Sequence, residues 1–177
     1  GRTLKEYIDH ARETLEKGGR LDEDHSLKAR IETFLPVLNA MDYAHKRGVL
    51  HRDLKPANIM VGAFGEVLVM DWGLSRVLSR PADAVPSSVE TDSTERRAAG
   101  ESSPEFTLDG TVVGTPAYMA PEQARGQLAR IDARTDVFAL GAMLYEFLCL
   151  RPPYEGSDAT QLIASAAEGQ IGRASCR

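Results

Sequence analysis

Four side chains that can do chemistry are concentrated in two short polar segments. Residues 51–58 bring Asp53, Lys55 and Asn58 close together, and Asp71 opens a second segment, residues 71–73. Each segment directly follows a short apolar run that predicts a strand, so the polar residues lie at strand ends. Carboxylates, a lysine and an amide can accept a proton, neutralise an anion and bind a hard cation. Taken singly, each of these residues could equally be a loop cap or a surface residue.

A third motif downstream gives the first two a context. Residues 120–122 read Ala-Pro-Glu, residues 71–73 read Asp-Trp-Gly, and residues 51–58 match the pattern H-R-D-L-K-P-x-N. These motifs resemble the A-P-E motif, the D-F-G motif and the catalytic loop of protein kinases. One tripeptide match is common by chance, but three in the right order on a framework of helix, loop, hairpin and helix are specific. By this resemblance, the chain is identified as a member of the protein kinase family.

The resemblance implies catalytic and binding roles for residues of the first two motifs. It makes Asp53 the base that orients the substrate hydroxyl and accepts its proton, and Lys55 the group that contacts the transferred phosphate of ATP. It makes Asn58 and Asp71 the Mg²⁺ ligands, hard oxygen donors as that ion requires. Met60 occupies the place where the family packs beneath the adenine ring, although a simple strand-core residue fits that position equally well.

Two features are typical of the serine/threonine class of this family. Lys55 lies in the catalytic loop and a Gly-Thr pair precedes the A-P-E motif, whereas tyrosine kinases usually lack that lysine and have a different segment. By resemblance, residues 114–122 receive the protein substrate, and Thr115 bridges toward Asp53 and Lys55. The replacement of the usual Phe by Trp72, together with the overall sequence, gives the impression of a bacterial-type kinase.

The resemblance also implies structural roles. His51 and Trp72 belong to a stacked apolar column that links the two lobes of a kinase, and the indole N–H needs a partner. Gly73 completes the second motif. Asp136, at the start of a buried helix, is expected to accept hydrogen bonds from the catalytic-loop backbone. Glu122 is expected to lack its usual arginine partner from a later helix, and a buried charge without a partner would lower the stability of the chain.

Arg52 and a long loop suggest regulation by phosphorylation. An arginine directly before the catalytic aspartate marks kinases whose activation loop is ordered when a phosphate pairs with it. From about residue 79 to 109 the composition changes to Ser, Thr, Pro, Glu and Ala without periodicity, which predicts a disordered insert in an activation segment of about 71–122. Thr107 and Thr111 are the favoured phosphorylation sites because they lie nearest the ordered segment.

Helices and strands must position these motifs, and hydrophobic spacing predicts where they lie. A first helix is predicted to end before Gly18, and a second near His45, with a kink or a break at Pro36. Their predicted core stripes are Leu4, Tyr7, Ile8, Ala11 and Leu15 in the first helix and Leu27, Ile31, Leu35, Leu38 and Met41 in the second. Apolar runs predict strands at 49–50, 59–61 and 67–70, the last two joined as a hairpin.

Two more helices are predicted toward the end of the chain. The first covers about residues 134–148 and is apolar enough to be buried. Its predicted stripe is Val137, Leu140, Leu144 and Phe147. The second begins at a cap formed by Ser157 or Asp158 and ends at Gly169.

Composition and charge exclude several other classes of function. The 177 residues are 42% hydrophobic and 27% charged, as in an ordinary globular domain. A net charge of −5 argues against a nucleic-acid or anionic-membrane surface, and no apolar stretch reaches the ~20 residues of a membrane helix. Without metal-ligand spacing, His10, His25 and His45 are expected at the surface. The sparse cysteines favour a reducing, cytoplasmic location, with which a membrane-anchored parent protein is compatible.

The expected fold is α+β and mainly helical, the C-terminal lobe of a protein kinase with small β-hairpins. No glycine-rich phosphate loop or strand lysine is found, so the N-terminal lobe is expected to be missing and residues 1–177 to form a partial kinase domain. The parent is expected to transfer the γ-phosphate of ATP, with Mg²⁺, to serine or threonine of protein substrates, and the isolated fragment to be inactive. A pseudokinase or docking module stays open as an alternative, as does dimerisation for autophosphorylation.

Overall fold

A computed structural model describes residues 1–77, 114–169 and 171–172. In this part of the chain, five α-helices predominate over five short strands in two antiparallel sheets. This content agrees with the expected mainly helical α+β class. The predicted insert at about 79–109, with Thr107, and the neighbouring Thr111 lie outside the described residues.

The first helix, α1, spans Leu4–Glu16 and is fixed at both ends by local chemistry. The Thr3 hydroxyl accepts from the Glu6 amide at 3.2 Å, and the Glu6 carboxylate accepts from the Thr3 amide at 2.7 Å. The helix ends before Gly18, whose φ of 73° favours glycine. Its buried residues are Leu4, Tyr7, Ile8 and Ala11. The predicted stripe is therefore confirmed except at its last member, Leu15, which is 46% exposed.

The second helix, α2, spans Leu27–Lys46 and continues through Pro36, so the alternative of a broken helix is wrong. The predicted core stripe is also largely wrong. Its exposed members, between 37% and 56% accessible, are Leu27, Ile31, Leu35 and Leu38. The buried face consists of Arg30, Phe34, Val37, Met41 and Ala44. Apolar side chains cover two faces of this helix, and spacing alone does not say which face meets the neighbouring helices.

Two small antiparallel sheets accompany the helices. The strands are β1 (Arg2–Thr3), β2 (Val49–Leu50), β3 (Ile59–Val61), β4 (Val67–Val69) and β5 (Arg76–Val77). One sheet has the order β1-β3-β4, with Met60 opposite both Thr3 and Leu68, and the other pairs β2 with β5. The predicted β3-β4 hairpin is confirmed. The sequence did not predict β1 and β5, because two residues are too few for a periodic signal.

The second half of the described chain contains α3 (Pro121–Ala124), α4 (Ala133–Cys149) and α5 (Ala159–Glu168). Helix α4 begins at the cap residue Asp132 and ends at Leu150, which has a φ of 53°. Of its predicted stripe, Leu140 and Phe147 are buried and Leu144 is partly buried, but Val137 is 56% exposed and lines an open groove between α2 and α4. Helix α5 begins at Asp158 and ends at Gly169, as predicted.

Two hydrophobic clusters hold the polar segments in place. The larger joins α1, α2, α4 and the first sheet, and it includes Leu54 and Ile59 from the catalytic-loop region. The smaller includes Met119 from the predicted substrate segment and Ala166 of α5. Full burial of one large apolar side chain contributes roughly 1.5–3 kcal/mol, so each cluster can fix one segment. Among the described residues, none of the helices combines the length and apolarity that crossing a membrane requires.

Candidate active site

The predicted catalytic loop, residues 51–58, follows β2 and is held to the first turn of α4 by one carboxylate. Asp136 accepts hydrogen bonds from the backbone amides of His51 at 2.9 Å and Arg52 at 2.8 Å. Its side chain is 1% exposed, and the positive end of the helix dipole further stabilises the buried charge. Arg52 adopts a φ of 68°, a strained conformation that these bonds support. The expected contact between Asp136 and this backbone is confirmed.

A third partner of Asp136 was not expected from the sequence. The Nε2 atom of His45, at the end of α2, lies 2.8 Å from the Asp136 carboxylate. His25 is also buried: its Nδ1 atom contacts Asp22 at 2.5 Å and its ring lies 4.4 Å from that of Tyr7. The prediction that both histidines are surface residues is therefore wrong, because their burial depends on elements distant in sequence, Tyr7 for His25 and Asp136 for His45, which the histidine itself does not reveal.

The carboxylate of Asp53 is bound on both oxygens by residues of the predicted site. Its Oδ1 atom accepts from the Thr115 amide at 2.9 Å and from the Thr115 hydroxyl at 2.8 Å. Its Oδ2 atom lies 3.0 Å from Nζ of Lys55. Asp53 is 9% exposed, so these contacts fix its orientation more tightly than solvent would. The structure thus brings together Asp53, Lys55 and Thr115, although Asp53 and Thr115 are 62 residues apart in the sequence.

Asn58 and Asp71 meet at the base of the β3-β4 hairpin. Asn58 donates its side-chain N–H to the Asp53 carbonyl at 2.9 Å, which leaves the amide oxygen available to a ligand. Its backbone carbonyl accepts from the Met70 amide at 2.8 Å, and Asp71 follows directly. Asp71 has an exposed side chain and a φ of 60°. An amide oxygen and a carboxylate are hard donors, so the residues present fit the expected Mg²⁺ ion.

His51 and Trp72 form a fixed aromatic pair beneath this site. Their ring centroids lie 4.7 Å apart, and His51 is fully buried. Its Nδ1 atom accepts from the Asp53 amide at 3.3 Å, so the Nε2 atom carries the proton and donates to the Met70 carbonyl at 2.9 Å. The indole N–H, for which a partner was expected, donates to the Val69 carbonyl at 3.0 Å. The pair therefore connects the two predicted motifs.

Two other predicted residues have less specific surroundings. Any side chain at Gly73 would come within 3.4 Å of the Asp71 carboxylate, an ordinary contact distance. Met60 is half-buried in the central strand of its sheet. Both of the expectations for Met60, adenine contact and strand core, are compatible with this place.

The predicted substrate segment is attached to the catalytic loop by residues that the sequence analysis did not single out. Gln123 donates its side-chain N–H to the Arg52 carbonyl at 2.8 Å. Gly114 has a φ of 123°, and a side chain there would lie 3.2 Å from the same carbonyl. Glu122 is only partly buried and accepts from the Thr135 hydroxyl at 2.6 Å. Glu122 is therefore less buried than expected and has a hydroxyl partner from the neighbouring helix, while the expected lack of its usual arginine partner stays a prediction.

The same segment is attached to the far end of α4 by a second buried carboxylate, also missed by the sequence analysis. Glu146 is 5% exposed; one of its oxygens lies 2.6 Å from Nη2 of Arg12 and the other accepts from the Tyr118 hydroxyl. Burial, together with the adjacent Glu146 charge, raises the pKa of Tyr118 above its usual range. The phenol therefore stays protonated and donating. Long side chains on three separate elements leave no short-range pattern by which to find this group.

Arg52 lies beside a second arginine. It donates from Nε to the Leu74 carbonyl, and the β2-β5 register places Arg76 opposite Leu50. Burial, followed by the charge of Arg76, lowers the pKa of Arg52. Two neighbouring guanidinium groups form a local positive site on a chain whose net charge is negative.

Comparisons with known proteins agree with the family that these motifs indicate. The model of the protein kinase domain matches residues 4–174. The chain is 41% identical over 157 residues to the serine/threonine-protein kinase PknD of Protochlamydia amoebophila, covering 88% of this chain and 15% of that protein. It is 37% identical over 154 residues to PknD of Chlamydia caviae, covering 87% of this chain and 16% of that protein.

A third relative is a probable serine/threonine-protein kinase PknB of Bifidobacterium longum. It is 39% identical over 131 residues, which cover 74% of this chain and 16% of that protein. The chain thus spans less than a fifth of the length of these curated relatives. The motifs, their geometry and the matched family model lead to one assignment. The chain belongs to the protein kinase family and is similar to its bacterial serine/threonine members.

Proposed function

We propose that the protein transfers the γ-phosphate of ATP to serine or threonine hydroxyls of protein substrates. The observation that supports this most directly is the setting of Asp53, whose carboxylate is held by Thr115 and Lys55. We further propose that residues 1–177 form the larger, C-terminal lobe of the kinase domain, with an activation segment of about 71–122. The relatives' printed names support the serine/threonine class.

In the proposed reaction, Asp53 orients the substrate hydroxyl and accepts its proton. As the hydroxyl oxygen forms its bond to the γ-phosphorus, the bond from that phosphorus to the bridging oxygen breaks, and ADP leaves with the electron pair. Lys55 neutralises charge on the transferred group while keeping Asp53 in place. Positioning and charge neutralisation dominate such transfers, so two fixed side chains suffice for this part of the site.

Mg-ATP is the proposed co-substrate of this site. Asn58 and Asp71 would hold Mg²⁺, which shields the charge of the phosphates when bound. The hydrogen bond from the Asn58 amide to the Asp53 carbonyl supports this role, because it orients the amide oxygen away from the loop. Met60 would contact the adenine ring from the central strand of its sheet.

Regulation is proposed at the pair of arginines. A phosphate on Thr107 or Thr111 would find charge compensation at Arg52, whose guanidinium is only partly exposed and lies beside Arg76. Two neighbouring guanidinium groups would bind a phosphate more tightly than one. Mass spectrometry of the active enzyme tests this proposal, because an active protein with neither threonine phosphorylated would contradict it.

The proposed partners follow from the reaction: ATP, protein substrates and, for autophosphorylation, a second copy of the chain. A cytoplasmic location is proposed because ATP is available there. Within the described residues, Cys149 is exposed and forms no disulfide, which supports a reducing compartment.

Transfer of labelled phosphate from Mg-ATP to a generic basic protein tests the proposed function in the full-length protein. Asp53→Asn is expected to lower the rate by ~10²- to 10⁴-fold, the usual contribution of a positioned base. Asp42→Asn is the matched control, since Asp42 is an exposed partner of Lys46 on α2, and it is expected to leave the rate unchanged. A folded, ATP-binding protein that transfers no phosphate would instead indicate a pseudokinase.

A further inference from the structure

Three parts of the fold are connected by one group of side chains, that of Arg12, Glu146 and Tyr118. Arg12 lies on α1, Glu146 in the last turn of α4, and Tyr118 in the predicted substrate segment. The two oxygens of Glu146 are divided between the other members: Nη2 of Arg12 lies 2.6 Å from Oε1, and the Tyr118 hydroxyl donates to Oε2. No other described hydrogen bond or ion pair joins α1 to this segment through a single residue.

The Glu146 carboxylate lies where a negative charge is unfavourable, and Arg12 is the cation that compensates it. A carboxylate in the last turn of a helix faces the negative end of the helix dipole, and this one is also 5% exposed. A cation held against such a buried carboxylate offsets the cost of removing it from water. Arg12 is held there by a second bond, from its Nε to the Leu150 carbonyl at 2.9 Å. Arg12 therefore holds the Glu146 carboxylate where it accepts the hydrogen bond from the Tyr118 hydroxyl.

Tyr118 lies between the other attachment points of its segment. On one side, Thr115 is bound to Asp53; on the other, Glu122 is bound to Thr135 at the start of α4. The Tyr118 hydroxyl supplies the attachment to the opposite end of α4. Without it, residues between Thr115 and Glu122 would be held by packing and backbone contacts, while Asp53 and its own contacts would be unchanged.

We infer that Arg12 is a positioning residue for protein-substrate binding, acting through Glu146 on Tyr118. The inference rests on the proposed kinase function and adds a specific residue of α1 to the substrate-binding side of the site. Arg12 touches neither Asp53 nor the predicted Mg²⁺ ligands. Its loss therefore affects binding of the protein substrate rather than the transfer step or ATP.

The test measures steady-state kinetics in the full-length protein with Tyr118→Phe and Arg12→Met. Tyr118→Phe keeps the packed ring and removes only the hydroxyl, so the protein is expected to fold. Each variant is expected to raise KM for the protein substrate roughly tenfold, the scale of one hydrogen bond to a charged group. We expect kcat and KM for ATP to stay within about twofold, as for lost substrate binding. A fall in kcat with unchanged substrate KM would overturn the inference.

Arg30 offers a matched control for Arg12. It lies on α2 and also caps the end of α4, donating to the Phe147 carbonyl at 3.1 Å and the Leu148 carbonyl at 2.7 Å. It makes no described contact with Glu146 or Tyr118. Arg30→Met is expected to destabilise the fold without raising the substrate KM. Arg12→Lys keeps the positive charge, so its substrate KM is expected to rise less than that of Arg12→Met. If Arg30→Met raises that KM as much as Arg12→Met, the effect belongs to the helix end and the inference is wrong.

Two further measurements separate this inference from the proposed function. In a double-mutant cycle, Arg12→Met and Tyr118→Phe are expected to be strongly non-additive, and additive effects would show that they act independently. Hydrogen exchange of the amides of residues 117–119 needs no catalysis. It is expected to be faster in Arg12→Met than in Arg30→Met. Faster exchange in a protein without kinase activity would preserve the positioning role and reject the proposed reaction; equal exchange would reject the positioning role.

Discussion

The two ends of α4 bury one carboxylate each, and they stabilise it differently. Asp136, at the N-terminal end, accepts from two backbone amides and contacts His45. Glu146, about 15 Å further along the helix at 1.5 Å per residue, is bound by a guanidinium and a phenol. Both are nearly inaccessible, at 1% and 5% exposure.

The difference follows from the direction of the helix dipole. At the N-terminus the dipole and nearby amides favour a negative charge, so backbone groups can stabilise Asp136. At the C-terminus the dipole opposes the charge, and Glu146 needs the full positive charge of Arg12. One end therefore fixes the predicted catalytic loop through the backbone, and the other fixes the predicted substrate segment through side chains.

The largest expected effect is that of Asp136→Ala. It leaves the amides of His51 and Arg52 buried without an acceptor, and we expect a loss of about 3–5 kcal/mol in the free energy of unfolding. Urea denaturation measures it. Asp132→Ala, at the cap of the same helix, is the control and is expected to cost ~1 kcal/mol. Equal losses of unfolding free energy in the two variants would show that Asp136 stabilises only the N-terminus of the helix and does not support the loop.

Glu146→Gln is expected to cost less, about 2 kcal/mol, measured in the same way. The amide keeps the shape of the carboxylate and relieves the unfavourable interaction with the helix dipole. Arg12, whose side chain is 27% exposed, can then regain water. A loss greater than that of Asp136→Ala would contradict the role assigned to the dipole.

Alkaline pH is expected to weaken the contact between Tyr118 and Glu146 at the C-terminal end of α4. Because burial and Glu146 raise the pKa of Tyr118, the folded protein keeps a proton that the unfolded chain releases above pH ~10. The resulting stability is fully present below that pH and is lost as the pH rises toward the raised pKa, by up to about 1.4 kcal/mol per pH unit.

Tyr118→Phe removes this contribution, so its unfolding free energy should fall less steeply than that of the wild type. The comparison uses urea denaturation at several pH values between 8 and about 11. Tyr154→Phe is the control, because burial raises the pKa of Tyr154 to about 12 without a carboxylate partner. If Tyr154→Phe flattens the pH dependence of the unfolding free energy more than Tyr118→Phe does, the assigned role of Glu146 is wrong.

His45→Ala is expected to have the smallest effect, about 1 kcal/mol in the free energy of unfolding. Asp136 keeps both backbone donors in this variant, so its charge stays stabilised. His10→Ala, an exposed position on α1, should change stability by less than ~0.5 kcal/mol. If the loss in His45→Ala approaches that of Asp136→Ala, the backbone amides are not the main support of Asp136.

Local patterns predicted the helices and the hairpin well. The glycine endings of α1 and α5, the cap of α5 and the spacing of three and four depend on neighbours within one turn, so α1, α4 and α5 follow from the sequence. The motif residues Asp53, Lys55 and Asn58 lie on one loop, and their proximity follows too. Which of two apolar faces of α2 is buried depends on the helices packed against it, and here spacing gave the wrong face.

The sequence by itself therefore determined the helices α1, α2, α4 and α5, the β3-β4 hairpin and the family. Only the tertiary structure decided which side chains bind the buried carboxylates: His45 and Asp136 are 91 residues apart, and Arg12 and Glu146 are 134 apart. It also decided the two-residue strands β1 and β5, which exist only through their partners. The physical reason is that a buried charge must find whatever partner folding brings to it, and no short-range rule of spacing specifies that partner.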